Sequence, residues 1–209
     1  GWLYYSKKRM WEMMPHTNGK IPPHINAVSI VYDRYNKKVL LFGGRIRELW
    51  SFSIKENLWN KVKPKGNEPP VLAYPSVVYD ERNKKMIVFG GLLDGIHSSN
   101  QTWEYDVVEN KWLLINTKGP SPRFAAATAY DSKNGVLILF GGRWKSEDGK
   151  WHVLSDSWIY DSTLKKWSPI KTKIYPETNK TYQAAYDKIN NVVIILDNKA
   201  QTWVFRYRN

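Results

Sequence analysis

Two spaced signatures recur in phase along the chain, and no other feature limits its fold so tightly. The first is a Tyr-Asp pair followed nine residues later by an apolar-Gly-Gly step. It reads Tyr32-Asp33 with Phe42-Gly43-Gly44, Tyr79-Asp80 with Phe89-Gly90-Gly91, and Tyr130-Asp131 with Phe140-Gly141-Gly142. A fourth copy, Tyr186-Asp187 with Leu196-Asp197-Asn198, keeps the spacing and loses the glycines. The second is a Trp, an aromatic two residues on and another Trp nine residues after the first: Trp2, Tyr4, Trp11; Trp50, Phe52, Trp59; Trp103, Tyr105, Trp112; and Trp158, Tyr160, Trp167, with a last partial copy at Trp203 and Phe205. Recurrence of this kind marks a repeat architecture, in which each unit covers its apolar surface with its neighbours.

Each unit reads as four short strands, a to d. Strand a is small and apolar (Ala27 to Tyr32, Pro75 to Tyr79, Ala125 to Tyr130, Gln183 to Tyr186), as suits the crowded inner strand of a radial sheet. Strand b is an unbroken aliphatic run ending in Phe-Gly-Gly (Val39 to Phe42, Met86 to Phe89, Val136 to Phe140), the pattern of a strand covered on both faces. Strand c alternates Trp and Tyr or Phe with polar residues, and strand d centres on the second Trp. The glycine pair allows positive φ or a close backbone approach where strand b ends.

The a–b connections (Asn36-Lys37-Lys38, Asn83-Lys84-Lys85, Lys133-Asn134-Gly135, Ile189-Asn190-Asn191) and the c–d connections (such as Lys55-Glu56-Asn57 and Glu109-Asn110-Lys111) are short, polar and turn-forming. The b–c loops vary instead: Arg45 to Leu49, Leu92 to Thr102, Arg143 to Asp156. The units run 1–20 (strands c and d), 21–68, 69–119, 120–172 and 173–209 (strands a to c). At the ends two readings stand: either the last strands a and b join the first strands c and d in one closing blade, or the chain is a portion of a longer array. Unpaired strand edges favour the second.

Strand a ending in Tyr-Asp, strand b ending in Gly-Gly, and Trp-x-Tyr-Asp followed by a further Trp together resemble the Kelch repeat, over essentially the whole chain. The resemblance implies an all-β chain: a β-propeller of four-stranded antiparallel blades, with about four to five blades' worth of repeats here. Two departures stand out: Asp197-Asn198 replaces the last glycine pair, and the arginine that often opens strand a in that family occurs only as Arg123.

Composition narrows the function classes. The chain has no Cys, which removes disulfides, thiolate metal sites, Cys nucleophiles and the Tyr–Cys copper centre of galactose oxidase-type propellers. The four histidines, His16, His24, His97 and His152, lack ligand spacing, and Asp94 with His97 in one loop is too small a set for a metal; no cofactor is expected. Apolar runs are only strand length, so no membrane span is expected. A formal net charge of +13 favours an anionic partner or surface.

In a blade running a to d, the a–b and c–d turns share one face of the propeller and the b–c and d–a loops the other. Aligned positions put Ile25, Leu72, Arg123 and Asn179 at the start of strand a on the loop face, and Arg45 and Arg143 directly after glycine pairs. The longer loops add Arg47, Asp94, His97, Trp144, Lys145, Trp151 and His152. Arginines beside exposed aromatics combine bidentate donors with flat apolar area, which suits peptide, carboxylate or sugar recognition. The expected partner-binding set is Arg45, Arg47, Arg123, Arg143, Trp144, Trp151 and His152, the alternative for Arg123 and Arg143 being that they only bridge blades or cap loop carbonyls. On the turn face, Arg34, Lys37, Lys38, Arg82, Lys84, Lys85, Lys133 and Lys188 in a–b turns would gather into a basic rim, with Lys7, Lys8, Arg9, Lys165 and Lys166 from c–d turns. Asn100-Gln101-Thr102 and Asn179-Lys180-Thr181 match the N-glycosylation pattern of exported proteins.

These features describe a non-enzymatic scaffold that binds a protein partner through its b–c and d–a loops. The alternatives are an exported carbohydrate-binding or sialate mutarotase-like propeller, and a basic structural subunit that meets an anionic polymer. Partner identity, compartment and oligomeric state are open at this level.

Overall fold

The computed structural model describes residues 2–14, 20–23, 26–172, 176, 183–197 and 201–207. Ile25, Asn179, His16, His24 and the second glycosylation triplet lie outside them. The described regular structure is all β. The N-terminal hairpin is β1 (Trp2–Tyr5) and β2 (Met10–Met13). Three four-stranded blades follow: β3 (Val28–Asp33), β4 (Lys38–Gly43), β5 (Trp50–Ser53) and β6 (Leu58–Lys61); then β7 (Ser76–Asp80), β8 (Lys85–Phe89), β9 (Thr102–Asp106) and β10 (Lys111–Ile115); then β11 (Ala127–Asp131) and β12 (Val136–Phe140). The b–c insert of that third blade forms its own ribbon, β13 (Arg143–Lys145) and β14 (Trp151–Val153), before β15 (Ser157–Asp161) and β16 (Lys166–Ile170) complete the sheet. A three-stranded sheet ends the chain: β17 (Gln183–Asp187), β18 (Val192–Leu196) and β19 (Thr202–Phe205). All strand pairs within these sheets are antiparallel, and the four large sheets are blades of a β-propeller.

The register shows why strand b is apolar at every position. Met86 and Val88 of β8 face Leu40 and Phe42 of the preceding blade, while Ile87 and Phe89 face Leu137 and Leu139 of the next. Likewise Ile138 and Phe140 pack with Val193 and Ile195. The core therefore lies between blades, and successive side chains serve two different interfaces. The strand c and d aromatics fill its outer part. Trp112 and Tyr160 are fully buried, and Phe89 meets Trp167 with ring centroids 4.8 Å apart. In β1–β2 the same signature residues are open to solvent, Trp2 at 62 % and Trp11 at 63 % exposure, because no neighbouring described strand covers that hairpin. At the other end β19 occupies the outer edge of β18, with Ile195 opposite Trp203 as Val88 stands opposite Trp103.

Polar groups lock adjacent blades. Each Asp of the Tyr-Asp pairs holds its own turn: Asp80 Oδ1 accepts from the backbone N–H groups of Arg82 and Asn83, both at 3.0 Å, and its Oδ2 accepts from Asn83 Nδ2 at 2.9 Å. Asp33, Asp131 and Asp187 bind their turns in the same manner. The hydroxyl of Tyr130, one blade on, also donates to Asp80. Farther out, buried Glu104 accepts from Tyr160 Oη at 2.7 Å and pairs with Lys85 at 2.7 Å, and Trp167 Nε1 donates to Thr102 Oγ1 at 2.9 Å.

The glycine pairs act by close approach. A Cβ on Gly90 would lie 2.4 Å from the carbonyl oxygen of Arg123, a residue of the next blade, and Gly90 has φ +66°. The neighbouring Gly91 N–H donates to that same oxygen at 2.9 Å. Position 90 thus needs glycine on both counts.

Candidate functional site on the loop face

Strand a starts later in the structure than the sequence pattern suggests, at Val28, Ser76 and Ala127. The cause is a left-handed residue at the equivalent position of three successive blades: Ala27 (φ 62°), Tyr74 (φ 52°) and Ala125 (φ 51°). A backbone relay holds them, Tyr74 N–H to Ala27 O at 3.0 Å and Ala125 N–H to Tyr74 O at 2.9 Å. Left-handed geometry costs a non-glycine residue on the order of 1 kcal/mol, and the inter-blade hydrogen bonds over-determine it here. Tyr74 and Ala125 of this relay line a cavity of about 450 Å³ between the inner strands, together with small side chains such as Ser29, Ser76, Ala126 and Thr128.

The insert after Gly142 is a built element. Arg143 and Phe124 exchange two backbone hydrogen bonds of 2.9 Å, Leu154 N–H donates to Gly142 O at 2.9 Å, and Gly141 N–H donates to Asp156 O at 3.0 Å. The sequence reads this stretch as a long loop; the structure pairs Arg143 with Val153, Trp144 with His152 and Lys145 with Trp151. Gly149, at φ +83°, turns the tip, where Ser146 N–H donates to Lys150 O at 2.9 Å.

Period-two alternation gives this ribbon two chemical faces. On one, the rings of Trp144 and His152 stack at 4.3 Å and 16°, and His152 Nε2 lies 3.1 Å from Ser146 Oγ. On the other, the Lys145 ammonium sits 5.1 Å from the Trp151 ring centroid, and Trp151 meets Phe124 edge-on at 5.5 Å. Phe124 in turn lies 6.1 Å from Tyr74, so aromatics run from the second blade across the third to the ribbon.

Arg123 corrects the sequence expectation. It is 1 % exposed, and all its donors are committed: Nε to Ser121 O, Nη1 to Gly141 O and Asp156 Oδ1, Nη2 to Ser121 Oγ and Asp156 Oδ2. A guanidinium so placed has nothing left for a partner; it ties the d–a loop to both ends of the insert. Burial alone would push the Asp156 carboxyl up, but hydrogen bonds from Arg123 and Trp158, with the Arg123 charge, outweigh it and hold the pKa below the ordinary carboxylate value. Leu72 is likewise buried and belongs to the core.

The other candidates divide. Arg45 and Arg47 are exposed on the first blade, with Arg45 at φ +69° and Arg47 Nε donating to Pro69 O at 3.4 Å. Arg143 is half-buried at the ribbon root. Trp144 is 37 % and Trp151 55 % exposed. Asp94 and His97 pair with each other at 2.8 Å; the His97 backbone N–H first, then its ring, hold the Asp94 pKa down to about 2. Among the described residues no cluster of three His, Cys, Asp or Glu side chains could hold a metal ion, and no helix is long and apolar enough to cross a membrane. Asn100 of the first glycosylation triplet is exposed, while Thr102 is buried.

Sequence reasoning missed Tyr74. The signal was available: counted back from the Tyr-Asp pairs, its equivalents are Ala27, Ala125 and Thr181, so Tyr74 is the one bulky side chain in that row.

On the turn face several basic groups are already engaged. Arg34 and Lys188 both pair with Glu81, at 3.0 and 3.7 Å, Arg82 donates to the Lys133 and Asn134 carbonyls, and Lys84 lies 4.4 Å from the Tyr35 ring centroid.

A family model described as the KLHDC2/KLHL20/DRC7 Kelch-repeats domain matches residues 2–196.

Proposed function

The chain belongs to the Kelch-repeat propellers, whose members commonly mediate protein interactions and are typically non-enzymatic, and from that premise we propose that it is a scaffold holding a protein partner through its b–c and d–a loops. The observation that carries this reading is the contrast between Arg123 and its surroundings. A fully buried, five-donor brace fixes an insert whose outer side chains, Trp144 and Trp151, remain exposed. Rigid presentation of aromatic side chains lowers the entropy lost on binding, which is how such residues become anchors. Arg45 and Arg47 on the first blade, and Arg143, Trp144, Trp151 and His152 on the third, are the contacting residues in this reading; Arg123 and Asp156 hold the insert that carries the third-blade set.

The test is site-specific photo-cross-linking. A photoreactive residue replacing Arg47 on the loop face should give one dominant adduct, identified by mass spectrometry, while the same residue replacing Lys55 on the turn face should not. Equal adducts from both positions, or adducts only from Lys55, would remove the loop face as the binding surface.

A further inference from the structure

The four inner strands, β3, β7, β11 and β17, each end on the turn face in a tight turn that carries exposed cations: Arg34 after β3, Arg82 and Lys84 after β7, Lys133 after β11 and Lys188 after β17. A depression of about 470 Å³ lies among the first three turns, lined by Arg34, Tyr35, Glu81, Arg82, Lys84 and Ser132. Glu81 is the one carboxylate in that lining, and two other turns reach for it. Arg34 Nε lies 3.0 Å from Glu81 Oε2, and Lys188 Nζ lies 3.7 Å from Oε1. Lys188 belongs to the last sheet and Glu81 to the second blade, which are not neighbours, so the pair spans the ends of the inner strands.

The cations outnumber the groups that hold them. Among the described residues the two Nη groups of Arg34 have no partner, and Arg82, Lys84 and Lys133 pair with no carboxylate. Arg82 gives Nη1 and Nη2 to the Asn134 and Lys133 carbonyls, and Lys84 lies against the Tyr35 ring, so both charges are positioned without being neutralised. Asp33, Asp80 and Asp131 at the roots of these turns are buried, and their oxygens accept from turn N–H groups and asparagine side chains. They offset part of the positive charge and leave the exposed donors open.

Ion pairs as exposed as Arg34–Glu81 are weak and screened by salt, so an anion that engages several cations at once can take the donors over. Phosphate oxygens accept paired hydrogen bonds from a guanidinium, and lysines add point charges. Cations that approach one depression from different turns suit a compact anion with several charged groups; a nucleic-acid strand needs a groove that tracks its backbone. We propose that this depression binds a compact, multiply phosphorylated small molecule, with Arg34, Lys84 and Lys188 as its phosphate donors and Glu81 as the internal anion that it displaces. The site lies on the face opposite Trp144 and Trp151 and does not depend on the scaffold reading.

The test is isothermal titration calorimetry of the whole chain at fixed ionic strength in phosphate-free buffer, with tripolyphosphate, inorganic phosphate and a ten-nucleotide oligouridine as probes. Tripolyphosphate should bind one per chain and at least about tenfold more tightly than inorganic phosphate, because its linked charges meet several cations together. Arg34→Gln and Lys188→Gln should each weaken it about fivefold. Glu81→Gln should tighten it about threefold by removing the competing carboxylate, and Lys55→Gln, which removes the same charge from an outer turn, should leave it unchanged. No tripolyphosphate binding, weaker binding in Glu81→Gln, a loss in Lys55→Gln equal to that in Arg34→Gln, or tighter binding of oligouridine at equal phosphate concentration would each overturn the proposal. A chain that ignores tripolyphosphate and still gives the loop-face cross-link loses this site alone.

Discussion

Arg123 and Asp156 are joined by two parallel hydrogen bonds, Nη1 to Oδ1 at 2.6 Å and Nη2 to Oδ2 at 2.9 Å, which close the base of the insert over a side chain with no solvent exposure. The partners are unequal, because the Asp156 side chain is 42 % exposed. Removing the carboxylate strands a buried cation, whereas removing the guanidinium leaves a partly solvated anion. Asp156→Ala should therefore lower stability by about 3 kcal/mol, more than Arg123→Met does. Urea unfolding of the two variants checks the order.

The same pair predicts a pH dependence. The folded Asp156 carboxyl titrates below its unfolded value, so its contribution is complete above the unfolded pKa, about 4, and is lost as pH falls further. Denaturation midpoints followed from pH 6 to pH 2 should fall in that acid range, and by less in Asp156→Asn.

Tyrosines give the opposite limb. Burial first, then the charges of Asp33 and Asp106, raise the Tyr105 pKa to about 12. Its contribution is complete below the unfolded tyrosine value, roughly 10, and is lost as pH rises from there towards 12. Tyrosinate absorbance should rise together with loss of the sheet circular-dichroism signal.

Gly90→Ala should be far more damaging than Gly95→Ala. Both glycines have positive φ, so both variants bear backbone strain, but the new methyl meets the Arg123 carbonyl at position 90 and nothing within 4 Å at position 95. Thermal melts of the pair separate the close contact from the strain.

Trp112 and Trp11 hold the same place in the repeat with different surroundings, at 2 % and 63 % exposure. Trp112→Ala should cost about 3 to 5 kcal/mol and Trp11→Ala less than about 1 kcal/mol. Equal losses would mean that the hairpin aromatics are covered in solution.

What was written along the chain was the blade. Alternation, turn chemistry and unbroken strand b runs are local consequences of which faces a strand must cover, so Tyr-Asp, Phe-Gly-Gly and the paired Trp positions announced four strands per unit and their order. The loop face was legible as a set of residues, Arg45, Arg47, Arg143, Trp144, Trp151 and His152, because they interrupt the repetition. Their roles were not. Arg123 reads as a recognition cation until the fold sets Gly141 O and Asp156 against it, and Tyr74 draws no notice until the inter-blade relay holds it between Ala27 and Ala125. Each of those outcomes depends on atoms from distant parts of the chain meeting at a few ångströms. Periodicity records which face a side chain occupies; only the packed blades decide whether that face meets water, a carboxylate or another ring.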